Sequence, residues 1–494
     1  MLAGCSIDMA DSPEERVSTG VTGLDDILHG GLIPQRSYML HGEPGTGKSI
    51  LGLHFLITGT EQGETALYIN LEETEADIKQ NAASLDLDVG DIEFLDLTPE
   101  SAEFTEEETY DVFSPDEVEQ QSLTETITDR VRAMEPDRVV IDPMTQLKYL
   151  APDQYQFRKQ VLALTRFFGQ TGATLVFTSQ AGAQSPDDDL QFMADGVIEL
   201  DYADTGRTVS VPKFRGSDTQ SGDHTMRIRN TGVDVYPELD PSDHDTDYTM
   251  ETVSSGVPEL DQQLHGGIER GTVTIISGPT GVGKTTTGAQ FMKEAAGRGE
   301  RSAIYMFEET ERTFLKRCSS VNIPVTEMRE RGTLSLEEIE ALDLSPQEFA
   351  HKVQTDVETE DTEIVMIDGI NGYDLSIQGD NAELRRKLHS LCRYLKSVGV
   401  TVILIDEVSS VTGEFEVTEG GISYIADNII FLRHIEMDGE LQKVIGVLKK
   451  RTSDFERTLR RFQITEHGIT IGEPLTHLRG ILQGTPEWSD DDPE

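Results

Sequence analysis

The 494-residue chain is too long for a single hydrophobic core and predicts two or three domains. Its net charge of -50 runs along the whole sequence rather than forming a tail, which fits a surface built for high salt and disfavours a nucleic-acid partner, since neutralising phosphates needs clustered Lys and Arg. Cys5, Cys318 and Cys392 are scattered without metal spacing, and no apolar run approaches the roughly 20 residues of a membrane span, so a cytoplasmic protein with no membrane partner is expected.

In chain order, residues 1–17 read as an N-terminal extension. MLAGC has the letters of a lipoprotein box, but no apolar segment precedes Cys5 and the match is read as coincidence. STGVTGLDDILHGG (18–31) is followed by strand-like SYMLHG (37–42), then by glycine-rich GEPGTGKS (42–49) opening a helix-compatible stretch. Strand-like TALYINL (65–71) runs into Glu72 and Glu73; the acidic stretch 99–117 reads as surface loop and helix start. DRVVID (137–142) and ATLVFTS (173–179) complete the series. Such near-continuous apolar runs predict strands covered on both faces, hence an α/β fold with a mostly parallel sheet flanked by helices.

After the polar, acidic segment 237–254 the series starts again, with SSGVPELDQQLHGG (254–267), TVTIISG (272–278), GPTGVGKT (278–285), SAIYMFE (302–308), TEIVMID (362–368) and VTVILID (400–406). An offset of 236 residues relates Leu24 to Leu260, Lys48 to Lys284, Glu72 to Glu308, and KFR (213–215) to KKR (449–451). Asp142 and Asp368 are only 226 apart, so the first copy carries ten extra residues, assigned to the acidic stretch. The repeat predicts two homologous domains, 18–240 and 254–480, joined by an acidic linker (241–253) and followed by a short acidic tail (481–494).

Each copy holds G-x-x-x-x-G-K-[ST] between a strand and a helix. Gly42, Gly45 and Gly47, and in the second copy Gly278, Gly281 and Gly283, let backbone N–H groups wrap phosphate oxygens ahead of a helix dipole. Thr46, Val282 and Thr286 complete these ATP-binding loops. Lys48 and Lys284 supply the cation for the terminal phosphates, and the Ser49 and Thr285 hydroxyls are placed to coordinate Mg²⁺. Asp142 and Asp368, each ending an apolar run, are the expected second metal-holding carboxylates. Glu72, Glu73, Glu308 and Glu309 stand where open α/β sheets place ligands and are the candidate catalytic acids that orient or deprotonate the nucleophile. Read as strand ends, only one of each pair aims at the nucleotide. The same EET triplets also read as helix caps through Thr74 and Thr310.

At these residues the chain resembles the KaiC family of RecA-superfamily ATPases, over the two fused domains, both phosphate loops, both EET triplets and ILQGTP (481–486). With the acidic composition, the resemblance points to a salt-loving archaeal member. It implies tandem RecA-like P-loop domains in a homo-hexameric ring, with ATP between neighbours. It also implies a slow ATPase in the first domain and autophosphorylation on serine or threonine in the second. Lys213, Arg215 and Ser217, with Lys449, Arg451 and Ser453, are then candidate contacts to the neighbour's nucleotide; the alternative for the basic pairs is ordinary surface ion pairing. The family's adjacent hydroxyls fall here at Ser423 and Tyr424, with Thr418 upstream, so a phenol replaces the second short alcohol. The first-domain counterpart, QFMADGVIEL (191–200), has no hydroxyl at that pair. Only EWSDDDPE follows ILQGTP, which counts against the clock protein's regulatory partners and leaves a signalling partner unknown. Two competing readings are a recombinase-like DNA-dependent ATPase, which lacks support from any basic-aromatic stripe, and a nucleotide-gated scaffold with little turnover, which the Glu pairs oppose.

Overall fold

The computed structural model describes residues 16–98, 115–151, 153–180, 188–203, 206–239, 251–340, 344–375, 381–408, 419–437, 439–476, 478–480 and 487–488. The extension up to residue 15, most of the acidic stretch and of the linker, Thr418 and ILQGTP lie outside these residues. Two compact units divide the chain, Met1–Glu238 and Leu239–Glu494.

In the first unit the strands are β1 (Ser37–Gly42), β2 (Ala66–Asn70), β3 (Glu93–Asp96), β4 (Arg138–Asp142), β5 (Thr174–Gln180), β6 (Gly196–Ala203), β7 (Gly206–Phe214), β8 (His224–Arg229) and β9 (Gly232–Tyr236). They form one sheet in the order β3-β2-β4-β5-β1-β6-β7-β8-β9, parallel from β3 to β6 and antiparallel from β6 to β9. Every residue of β1 and β2 is buried, and the pleat explains how. Tyr38, Leu40, Tyr68, Val140 and Val176 face one core with Leu51, Phe55 and Leu56 of the helix Lys48–Glu61. Met39, Leu67, Ile69, Val139 and Phe177 face the other, with Phe157, Val161 and Phe168 of the helix Gln154–Thr171. Alternation along each strand thus feeds two helical layers.

The second unit opens with a ribbon in which β10 (Thr252–Val253) pairs antiparallel with β11 (Ile268–Glu269). Its main sheet is built from β12 (Val273–Gly278), β13 (Arg301–Met306), β14 (Leu334–Glu338), β15 (Thr362–Asp368), β16 (Thr401–Glu407), β17 (Asn428–Met437), β18 (Glu440–Lys450), β19 (Arg460–Thr465) and β20 (Gly468–Pro474). The order β14-β13-β15-β16-β12-β17-β18-β19-β20 repeats the first sheet strand for strand. The chain thus holds two tandem RecA-like P-loop domains. In each, the chain leaves β1 or β12 to cross two strands, which opens a crevice at the carboxyl ends of the parallel strands. No helix among the described residues is long and apolar enough to cross a membrane.

The pattern differs from the sequence reading at the Glu pairs. β2 stops at Asn70 and β13 at Met306, so both pairs stand in the turn beyond the strand, where strand alternation no longer decides their direction. Asn70 donates to the Glu73 carbonyl at 2.8 Å and fixes that turn. The caps hold: the Thr74 and Thr310 hydroxyls accept the Asp77 and Thr313 N–H groups.

The units also differ in their cores. Arg138, at the start of β4, is 1 % exposed. Its guanidinium donates to the Ser18 and Phe55 carbonyls at 2.7 and 2.8 Å, to Gln62 at 3.1 Å, and pairs with Glu64. The matching position on β15 is Ile364.

His54 gives the first unit a pH dependence. Its Nε2 accepts the Val233 N–H at 2.9 Å, which requires a neutral ring, and burial lowers its pKa against the opposing pull of Asp234. The unfolded chain therefore binds a proton that the folded one resists, and stability falls as pH drops below about 6.5, by at most about 1.4 kcal/mol per pH unit. His54→Gln is expected to flatten this slope in urea midpoints measured between pH 5 and 7.5; an unchanged slope would assign it to other groups.

Candidate functional site

The phosphate loops follow β1 and β12 and turn directly into the helices Lys48–Glu61 and Lys284–Arg298. Gly47 and Gly283 precede these helices at φ 111° and 118°. A Cβ at Gly47 would lie 2.7 Å from Met226, and one at Gly283 would lie 2.6 Å from Ile464, so only glycine fits. The result is a bare backbone cradle at a helix N-terminus, the chemistry that takes a phosphate chain.

In the second unit a cavity of about 430 Å³ lies over this cradle, its wall including Lys284, Thr285, Glu308, Asp368, Arg317 and Glu407. Thr285 Oγ1 donates to Asp368 Oδ1 at 3.0 Å. Burial pushes the Asp368 pKa up to about 6, with the Thr285 hydrogen bond and Arg317 opposing it and Glu309 and Glu308 adding to it. A hydroxyl and a carboxylate side by side next to a phosphate cradle form the hard-oxygen set that suits Mg²⁺. Glu309 pairs with Arg317 at 2.5 Å, and burial raises its pKa against that cation. Glu308 is raised by burial first and then by Glu407, with Lys284 opposing. Gly369, at φ 96°, leaves room for it; a Cβ there would come within 2.8 Å of the Glu308 side chain.

The first unit has the same plan with different wiring. Lys48 donates to the Gly42 and Glu43 carbonyls, each at 2.8 Å. Burial lowers its pKa, while Asp142 and Glu72 pull it up. Asp142 accepts from Tyr68 at 2.6 Å and from Thr178, and Tyr68 also meets the Ser49 hydroxyl. Gln180 donates to Glu72 at 3.2 Å, and Asn81 reaches Glu73 at 3.4 Å. Burial, then Asp142, raises the Glu73 pKa.

The basic pairs are elsewhere. Lys213 donates to the Gln191, Phe192 and Ala194 carbonyls, and Arg215 to the Phe192 carbonyl and the Asp195 carboxylate. Lys449 donates to the Ser423 carbonyl at 2.9 Å, and Arg451 to the Tyr424 carbonyl at 3.0 Å. Ser217 bonds Arg16 and the Asp218 carbonyl; Ser453 bonds Glu269 and the Asp454 carbonyl. Thr274 pairs with Asn428 and Ile429 with Lys449, so this cluster stands at the amino-terminal edge of the parallel strands. The phosphate loop leaves the opposite edge, about 13 Å along β12 at ~3.3 Å per residue. Ser423 is partly buried and Tyr424 half exposed, its ring 5.7 Å from that of His389.

Several cleft residues escaped the sequence reading. Arg317 and Lys443, which donates to the Gly281 carbonyl at 2.8 Å, recur at the repeat offset as Asn81 and Arg207. Comparing the copies position by position could have raised them. Tyr68, Thr178, Gln180 and Glu407 needed the strand register.

A family model described as the KaiC ATPase matches residues 17–240 and again 253–476. The chain belongs to the KaiC family of ATPases. Similar proteins are named circadian clock oscillator protein KaiC in Acaryochloris marina (26 % identical, over 95 % of this chain and 91 % of that protein) and in Thermostichus vulcanus (26 %, over 97 % and 93 %). The circadian clock protein KaiC3 of Synechocystis is also similar, at 26 % identity over 98 % of this chain and 97 % of its own length. Two KaiC matches on one chain fit two sheets of one topology.

Proposed function

We propose that both units bind ATP with Mg²⁺ and hydrolyse it, and that the second also phosphorylates Ser423 or Tyr424 of another copy in a homo-hexameric, salt-adapted signalling ATPase of the cytoplasm. The observation that carries the hydrolytic reading is the convergence of Lys284, the Thr285–Asp368 pair and Glu308 on one cleft, with Lys48, Ser49, Asp142 and Glu72 as the first unit's counterparts. Mg²⁺ held by Ser49 and Asp142, or by Thr285 and Asp368, would neutralise charge on the phosphate oxygens. Lys48 and Lys284 would supply the cation for the terminal phosphates. Glu308 is the better base of its pair, because Glu309 is engaged by the Arg317 cation, and Glu72 is the counterpart of Glu308 at the repeat offset. As water attacks, its oxygen bonds to the γ-phosphorus, the bond to the β,γ-bridging oxygen breaks, and the carboxylate takes the proton.

The assembly reading is supported by the separation of the two edges. Ser423 and the basic pairs stand at the opposite ends of the strands from the phosphate loops of their own units, so a nucleotide they touch is not the one on their own loop. Transfer to Ser423 follows the same balance, with the hydroxyl in place of water and ADP leaving.

Incubation of the full chain with γ-labelled ATP and Mg²⁺ in high salt, followed by mass-spectrometric mapping, tests both parts. Released phosphate plus label at 423 or 424 that disappears in Glu308→Gln is the expected result. Phosphate release without label removes the kinase; neither product removes the whole reading.

A further inference from the structure

The two sites differ at one strand end. Gly42 pairs with Gln180 and Gly278 with Glu407, so these residues occupy matching places beside the glycine that opens each loop. In the first site a neutral amide donates to Glu72, and Lys48 rests on two loop carbonyls. In the second, Lys284 keeps one loop carbonyl, that of Pro279 at 3.1 Å, and meets Glu407 Oε2 at 3.2 Å. The Lys284 side chain is only 8 % exposed and that of Glu407 37 %. An ammonium in a half-dry cleft is held more firmly by a carboxylate than by carbonyl oxygens.

We propose that Glu407 is an affinity-determining residue of the second site, a built-in carboxylate that competes with nucleotide phosphates for Lys284. The inference rests on the reading of that site as a nucleotide site. A phosphate chain settling on the loop has to draw Lys284 away from Glu407. The carboxylate then faces Glu308 and the incoming anion with its ammonium displaced. Glu308 already feels this neighbour, since Glu407 is the second cause of its raised pKa. In the first site the matching Gln180 carries no charge, and Lys48 hydrogen-bonds to loop carbonyls rather than to a carboxylate. Glu407 therefore keeps the ATP affinity of the second site below what a glutamine at that place would give. Glu407 acts on binding rather than on proton transfer, so its removal changes KM more than kcat.

Titrating the full chain with Mg²⁺ and a fluorescent ATP analogue, with the first site disabled by Lys48→Ala, is the test. Glu407→Gln is expected to tighten binding roughly tenfold. The reciprocal Gln180→Glu, in a Lys284→Ala chain, is expected to weaken the first site by a similar factor. Affinity unchanged in Glu407→Gln overturns the proposal. So does an equal gain from Glu330→Gln, an exposed acid outside the cleft, which would trace the effect to the chain's overall charge. Absence of any saturable binding in the Lys48→Ala parent overturns the nucleotide reading itself, and this proposal with it.

Discussion

In a Glu72→Gln, Glu308→Gln double variant, phosphate release from ATP is expected to fall by about 10²–10⁴-fold while nucleotide still binds. Glutamine keeps the shape and the hydrogen-bonding oxygen but cannot accept the proton of the attacking water. The single variants divide the loss between units, because each site has its own acid and its own lysine. Glu309→Gln is expected to cost less, since the Arg317 cation already engages that carboxylate. Turnover measured by released phosphate decides it. A double variant as fast as the parent would leave a nucleotide-gated scaffold as the better account.

Arg138→Met is expected to destabilise the first unit by about 3 kcal/mol. The substitution keeps much of the packing against Phe55, whose ring lies 4.9 Å from the guanidinium. It strips donors from the Ser18 and Phe55 carbonyls and leaves Glu64 without its cation. Glu64 is 34 % exposed and regains some water, which keeps the loss at the lower end for a broken buried pair. Hydrogen exchange along β4 should report it, with β15 of the second unit as an internal control because Ile364 stands there. A loss below about 1 kcal/mol would mean that solvent replaces the network.

The sheet strands were legible because they are buried on both faces, so periodicity collapses into short apolar runs that only a covered sheet accommodates. SYMLHG and TEIVMID coincide with β1 and β15 residue for residue. The phosphate loops were legible because glycine at fixed spacing has no cheaper structural explanation. What stayed hidden depends on which strands become neighbours. Nothing local in VILIDE shows that Glu407 lies beside Gly278, or in TLVFTSQ that Thr178 reaches Asp142. The Glu pairs were found by repetition but mislocated by a strand boundary, since an apolar run that enters a fixed turn looks longer than its ladder. The basic pairs were likewise found by repetition; each arginine also pairs with an aspartate, Asp195 or Asp427, as surface ion pairing allows, whereas the main-chain carbonyls that hold both lysines carry no side-chain signature.

Those carbonyls make the far edge of each sheet a place where two demands meet on one cation. Lys449 holds the main chain at Ser423, and Arg451 holds it at Tyr424. Any anion that draws these side chains outward slackens the turn that presents both hydroxyls. By thermodynamic reciprocity, any change that slackens the turn frees the cations for an anion, and the two affinities shift by the same factor. A phosphoryl group on that turn would enter the same contest, adding nearly two negative charges within reach of the ammonium. An anion bound by Lys449 and the state of the turn it holds would then report on each other through that one side chain.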